Sequence, residues 1–299
     1  MYAFITGGRG FVGGHLRAHL EAAGDEVRVV DRECDVTVRE EVADALGERP
    51  PDVIYHLAAL TSVARSWQEP SEFTRVNVLG TLNVLQSARE VAPRASVIVV
   101  SSADVYGVVG ESDLPLRESR PPAPANPYSQ TKLEAEIFAR DAARAGQRVI
   151  IARPFNHVGP GQSSEFVVPA LAQRLLDARD QGLDEIAVGD LSPRRDFSDV
   201  RDVVRAYRLL ELYGVAGEVY NVASGLDVAI GDVAARLVAL ITPTVTLVRD
   251  ESLIRPVEVP VMRGSFEKLH DATGWEPTIA LEQSLLDVIR DLEGRRNDR

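Results

Sequence analysis

Short apolar runs alternate with stretches of helical period through the first half of the chain. Tyr2–Thr6, Glu26–Val30, Asp52–Leu57, Ser96–Val100 and Arg148–Ala152 are brief and rich in β-branched or aromatic side chains, which predicts strands. Between them, apolar residues return at helical spacing: at Leu16 and Leu20, from Asp35-Val36 through Leu46, from Ser71 to about Val91, and onward from Tyr128. Ser96–Val100 is almost continuously apolar, as expected of a parallel strand covered on both faces. Strands alternating with helices over this length predict an α/β fold, a Rossmann-type doubly wound parallel sheet.

After Gly159 the alternation changes. A helix from Phe166 to Asp180, a short strand from Glu185 to Val188 and a helix leading from Phe197–Asp202 to Leu212 come first. Glu218–Val222 looks like a return to the main sheet. A helix near Gly231–Ile241, a strand at Val245–Val248 and a helix over Leu281–Leu292 would complete a smaller C-terminal α/β substrate-binding lobe. This places the dinucleotide-binding part at 1–158 and 196–224, and the lobe at 159–195 and 225–299. The Arg/Asp-rich end from Gly294 reads as a frayed tail.

Composition narrows the partners. Among 299 residues, 45 acids against 33 bases give a net charge of -12, which argues against broad binding to nucleic acid or an acidic membrane. Cys34 is the only cysteine, so no intrachain disulfide can form, and it reads as a small buried hydrophobe. There is no secretory leader pattern and no apolar run of ~18 residues, so a cytoplasmic location is expected. His15 and His19 lie four apart without a further ligand nearby, so they read as a packed helix face, and no metal is expected.

The chemistry is concentrated just after the strands. Gly7, Gly10 and Gly13 form G-x-x-G-x-x-G between a strand and a helix, where glycines permit a tight turn and close approach of a pyrophosphate. Asp31, ending the second strand, is placed for an adenosine ribose hydroxyl, and Arg32 beside it for a 2'-phosphate, so NADH and NADPH both stay open. Ala58 and Ala59 are small enough for a cofactor to lie against the backbone.

Tyr128 and Lys132 stand one helical turn apart, on the same face. A cation there is expected to lower the phenol from its usual value of about 10, and bringing it to neutral pH asks roughly 4 kcal/mol of the site. The chain has only two lysines, Lys132 and Lys268, against 31 arginines, so a lysine at 132 points to a need for a compact ammonium. Ser102, after the fourth strand, supplies a hydroxyl that can meet the same carbonyl oxygen.

Taken together, Thr6–Gly13, the segment Ser101-Ser102-Ala103-Asp104-Val105-Tyr106-Gly107 and Tyr128-x-x-x-Lys132 resemble the extended short-chain dehydrogenase/reductase family of nucleotide-sugar enzymes, the NAD-dependent epimerase/dehydratase family. That resemblance implies a triad of Ser102, Tyr128 and Lys132. It also implies cofactor contacts from Gly7, Gly10, Phe11, Val12, Gly13, Asp31, Arg32, Asp35, Val36, Leu57, Ala58, Ala59, Asn77, Tyr128, Lys132 and Pro154.

Arg153–Gln162, Val188-Gly189, Arg194–Phe197 and Arg255–Pro260 resemble the GDP-sugar branch. This implies substrate contacts from Ser102, Asp104, Asn156, Val167, Val188, Arg195, Arg255 and Glu258, with the two arginines facing a diphosphate. For Arg195, an ion pair with Asp196 or Asp199 is an equal reading.

The activity implied is NADPH- or NADH-dependent reduction of the C4 ketone of GDP-4-keto-6-deoxy-D-mannose to GDP-D-rhamnose. A GDP-mannose 4,6-dehydratase or a nucleotide-sugar 4-epimerase is the alternative. Dehydratase relatives carry a glutamate where this chain has the shorter Asp104, after Ala103. An offset near 1 Å can cost about 10²-fold, which favours reduction. A regulator that only senses dinucleotide would not need the Tyr/Lys pair. The resemblance further implies a homodimer through Thr81–Val91 and Tyr128–Ala145.

Overall fold

The computed structural model describes residues 1–253 and 259–297. Its strands are β1 (Tyr2–Thr6), β2 (Glu26–Val30), β3 (Val53–His56), β4 (Ser96–Val100), β5 (Val149–Pro154), β6 (Asn156–Val158), β7 (Glu185–Val188), β8 (Arg194–Asp199), β9 (Val219–Val222), β10 (Asp227–Ala229), β11 (Thr246–Arg249) and β12 (Val261–Met262). The α-helices are α1 (Phe11–Ala22), α2 (Arg39–Gly47), α3 (Val63–Gln68), α4 (Pro70–Phe73), α5 (Gly80–Val91), α6 (Pro127–Arg144), α7 (Val167–Gln181), α8 (Val200–Tyr213), α9 (Ile230–Ile241), α10 (Glu267–Thr273) and α11 (Leu281–Asn297).

Six strands form one parallel sheet in the order β2-β1-β3-β4-β5-β9. The order reverses between β1 and β3, so the connections from these neighbours leave on opposite faces and open a crevice at their carboxyl ends. One face is covered by α2, α5 and α6, whose Val42, Leu46, Val84, Leu85 and Ala139 pack on Phe4, Ile54, Val97 and Ile151. Cys34 is buried in this layer. The other face carries α1 and α8, with Leu16, Leu20, Val203 and Tyr207 against Ala3, Ile5, Ile98 and Ile150. Leu269 and the wholly buried Trp275 join this second core although they follow β10 in sequence, and the Trp275 indole donates to the Asp202 carbonyl at 3.0 Å.

The smaller part holds two thin sheets. β8 pairs with β10, β12 and β6, and β7 with β11. Their core is helical: Leu171, Leu175 and Leu176 of α7, Val233 and Leu237 of α9, and Leu285 and Val288 of α11.

Two expectations need correction. The stretch 71–91 is not one regular helix. It is α4, a wide π-helical turn over Thr74–Leu79, then α5, and α3 precedes them. That turn carries Asn77 inward, and π turns of this kind often mark functional positions. From Gly294 to Asn297 the end is not frayed, because α11 continues through these residues. Arg296 reaches Asp177 and Asp180 of α7, and Arg295 pairs with Asp291 at 2.7 Å, which ties the last turn to its neighbours.

Candidate active site

The glycine turn is built as its spacing requires. Gly7 has φ +67, and a Cβ there would sit 2.8 Å from the Ala58 nitrogen. A Cβ at Gly13 would meet the Gly7 carbonyl at 2.4 Å, so the first turn of α1 can lie this close only without a side chain. Gly10 caps α1 with no side-chain bond, so the first-turn N–H groups of the helix face out of the turn. Phe11 and Val12 follow, half-buried. Asp31 accepts from the Arg9 N–H at 3.1 Å, which brings the carboxylate at the end of β2 over the turn, while Arg32 is exposed. A positive helix end, a glycine cradle and an acid at the β2 end fit a dinucleotide.

A chain of buried side chains ties this turn to α6. The Thr6 hydroxyl is 2.8 Å from His56 Nδ1 and accepts from Ala58 N–H at 3.2 Å, and His56 Nε2 lies 3.0 Å from the Thr81 hydroxyl. The Asn77 side chain accepts from Leu60 N–H and donates both to the Leu60 carbonyl and to Thr131, pinning the Leu57–Leu60 loop against α6. Burial pushes the His56 imidazole down to about 3, helped by the Lys132 charge, so it is neutral at working pH.

Ser102 caps the short turn Ala103–Tyr106 by accepting from Asp104 N–H at 3.1 Å. α6 opens on Asn126, which accepts from Ser129 N–H at 2.8 Å, with Pro127 as its first residue. This cap fixes where the helix begins and therefore where Tyr128 points. Tyr128 is 6% exposed, and Ser102 and Asp104 stand beside it. Lys132 is buried too, and its Nζ donates to the Val100 carbonyl at 2.8 Å.

The expected lowering of the phenol by the lysine is not what the structure gives. Burial raises Tyr128 above its ordinary value, the Asp104 charge adds to the rise, and hydrogen bonding from Ser102 opposes it. Lys132 is itself pushed down to about 8 by burial, with Glu136 working against that. Burial is the largest cause for both groups, and Tyr128 keeps its proton at neutral pH.

Sequence reading missed what lies behind Ser102 and Lys132. Glu136, fully buried, accepts two bonds from the Arg153 guanidinium at 2.8 and 2.7 Å, one from Arg140 at 2.8 Å and one from the Ser101 hydroxyl at 2.6 Å. Arg153 also lies over the Tyr106 ring, 4.8 Å from its centroid. The available signal was an acid four residues after Lys132 on a buried helix face.

Other expected contacts separate. Pro154 ends β5 beside the crevice, and Ala59 follows β3. Asn156 is exposed at the start of β6, and Val167 is half-buried at the start of α7. Val36 and Val188 are buried at the edges of two hydrophobic cores, and Val188 also lines a cavity with Gly189, Leu191 and Arg249. Asp35 is exposed, accepts from Thr37 N–H at 2.9 Å and lies 3.7 Å from Arg75. Arg195 donates to the Arg194 carbonyl at 2.9 Å. Its two suggested acidic partners are engaged elsewhere: Asp196 by Ser224, Gly225 and Gly264, Asp199 by Arg201 and Ser284. Arg255 and Glu258 lie outside the described residues. His15 stacks edge-on to Phe11 and its Nε2 is 2.8 Å from the Pro160 carbonyl.

Known proteins are similar to this chain in sequence and in fold. The chain is 39% identical to GDP-6-deoxy-D-mannose reductase from Pseudomonas aeruginosa over 98% of its length and 97% of that protein. It is 30% identical to GDP-6-deoxy-D-talose 4-dehydrogenase from Aggregatibacter actinomycetemcomitans, over 92% of each. The solved structure of RMD from Pseudomonas aeruginosa complexed with NADPH superposes with a TM-score of 0.90 at 39% identity, covering 98% of this chain and 99% of that one. With the family profile itself matching residues 3–223, the chain belongs to the NAD dependent epimerase/dehydratase family.

Proposed function

We propose that this protein is an NAD(P)H-dependent oxidoreductase that reduces the C4 ketone of GDP-4-keto-6-deoxy-D-mannose to GDP-D-rhamnose. The observation that carries the reading is a buried Tyr128 with Ser102 beside it and Lys132 one turn further along the same helix. When bound, NADPH or NADH supplies the hydride to C4. Tyr128 gives its proton to the oxygen as negative charge develops there. The Ser102 hydroxyl donates a hydrogen bond to the same oxygen, and the Lys132 ammonium stabilises the tyrosinate left behind. At neutral pH Tyr128 carries the proton that reduction requires, and because burial opposes its release, the transfer depends on Lys132 and Ser102 to stabilise the charge that results.

The glycine turn, Asp31, Arg32 and the 57–60 loop would bind the dinucleotide. The exposed Asn156, half-buried Val167 and Arg195 would meet the GDP-sugar. In this reading residues 1–158 and 196–224 carry the cofactor, and 159–195 with 225–299 carry the sugar nucleotide, although Leu269 and Trp275 pack beneath the cofactor-binding sheet. The GDP-sugar assignment draws on the reductase relative that spans nearly the whole chain. Among the described residues no helix is long and apolar enough to cross a membrane, and the reading is of a cytoplasmic enzyme. A homodimer through α5 and α6 would cover Leu79 and Ile137, which are 41% and 50% exposed.

The test is incubation with GDP-4-keto-6-deoxymannose and NADPH or NADH, with NMR of the product. One NAD(P)H lost per sugar reduced, with the C4 configuration of rhamnose, supports the reading. Turnover with no net loss of added cofactor would assign the protein to a dehydratase or epimerase instead.

A further inference from the structure

A charged side chain buried without contact to any reactant needs a reason, and Glu136 is the most deeply buried acid near the site. It is on α6 one turn beyond Lys132, so the two share a face of the helix. Its four hydrogen bonds come from three different elements: Arg140 on α6 itself, Ser101 at the end of β4 and Arg153 near the end of β5. Those elements carry Tyr128 and Lys132, then Ser102, then Pro154. Lys132 in turn donates to Val100, next to Ser101, which closes a loop between α6 and β4.

We propose that Glu136 is a positioning residue for this site, one that holds the Lys132 ammonium and the Ser101–Ser102 end of β4 in a single frame. The inference rests on the reading of Ser102, Tyr128 and Lys132 as the reacting groups.

The charges around Lys132 give Glu136 its second task. From β3, His56 faces the lysine but is neutral. On α6, Tyr128 is neutral as well, with Asp104 beyond it. Arg153 from β5 and Arg140 from α6 are cations, and both spend their charge on Glu136. Glu136 raises Lys132 against its burial. Removing the carboxylate deletes that attraction and leaves two guanidinium charges near the lysine without their counter-ion. Lys132 then gives up its proton at lower pH, and the site loses the cation that steadies tyrosinate.

The test uses the scarcity of lysine. With only Lys132 and Lys268, the full-length chain grown on labelled lysine gives two side-chain NMR signals that titrate separately. Lys268, paired with Glu218 at 2.6 Å on the surface, serves as an internal reference. In Glu136→Gln the Lys132 titration is expected to fall by about one pH unit or more, with Lys268 unmoved. kcat for the keto sugar should drop roughly tenfold with KM values within about twofold, and its alkaline limb should move down with the lysine.

A folded Glu136→Gln protein whose Lys132 titration and kcat match the wild type overturns the proposal. Should that variant fail to fold, the double variant Glu136→Gln/Arg153→Met removes both buried charges and is judged by kcat. There the lysine should move less while kcat still falls, and a wild-type kcat overturns the proposal. If the lysine moves as expected but the wild type reduces no keto sugar, the functional reading fails and the positioning role stands.

Discussion

Strands β1, β3 and β5 are buried at every residue, whereas β7 is buried at alternate residues and β10 and β11 at none. The first pattern belongs to a parallel sheet with helices on both faces, the second to thin sheets covered on one. Two ion pairs mark the extremes, although exposed pairs such as Arg39–Glu90 also flank the large sheet. Glu136–Arg153 in the large sheet's layer is no more than 1% exposed at either partner, while Arg236–Glu282 between α9 and α11 is 42% and 63% exposed. A dry layer makes charges strong and hard to move, so it suits groups that must keep one geometry through turnover. A wetter, ion-paired layer adjusts more cheaply.

The sharpest way to break this contrast is Tyr128→Phe. It removes only an oxygen from the dry layer, so kcat should fall by about 10³-fold or more while the melting temperature barely changes. Residual turnover above about a tenth of wild type would end the assignment of Tyr128 as the acid.

Trp275→Ala should come next, costing about 3–5 kcal/mol in denaturant unfolding, because the side chain is wholly buried beneath the large sheet. A cost under about 1 kcal/mol would mean that the 269–275 segment is not part of that core.

His56 predicts an acid response. Its folded value, near 3, lies below the ordinary 6.5, so the neutral ring contributes stability that is present above pH 6.5 and lost as pH falls toward 3. His56→Gln should flatten stability against pH across that window, by about 1.4 kcal/mol for each tenfold difference in proton affinity that the ring no longer contributes. An unchanged slope would show that other groups govern acid unfolding.

The smallest effect is expected on the wet side. Arg236→Ala should change stability by less than about 0.5 kcal/mol and weaken further with added salt, and a large loss there would erase the distinction between the layers.

Sequence and structure divide along related lines. The glycine turn, the Tyr128–Lys132 pair and Ser102 were legible because each depends on local spacing: a turn that excludes Cβ atoms, one helical turn, one residue past a strand. Central strands such as β4 were legible for the same reason, since burial on both faces leaves a nearly unbroken apolar run. Spacing set Glu136 on the Lys132 face and Glu134 off it, but could not reveal what Glu136 would meet there. Glu134 and Glu136 are alike in type, yet Glu134 is exposed and Glu136 is sealed. Ile137 is half-exposed beside it, against any hydrophobic ranking.

By itself, then, the chain's order of residues determined the parallel sheet, the dinucleotide turn and the acid–cation pair, all of them consequences of backbone geometry within a few residues. The tertiary structure alone decided that a carboxylate, an arginine from β5 and a serine from β4 would meet under that pair. A buried charge is tolerated only where distant partners satisfy it, and no local pattern records which partners arrive.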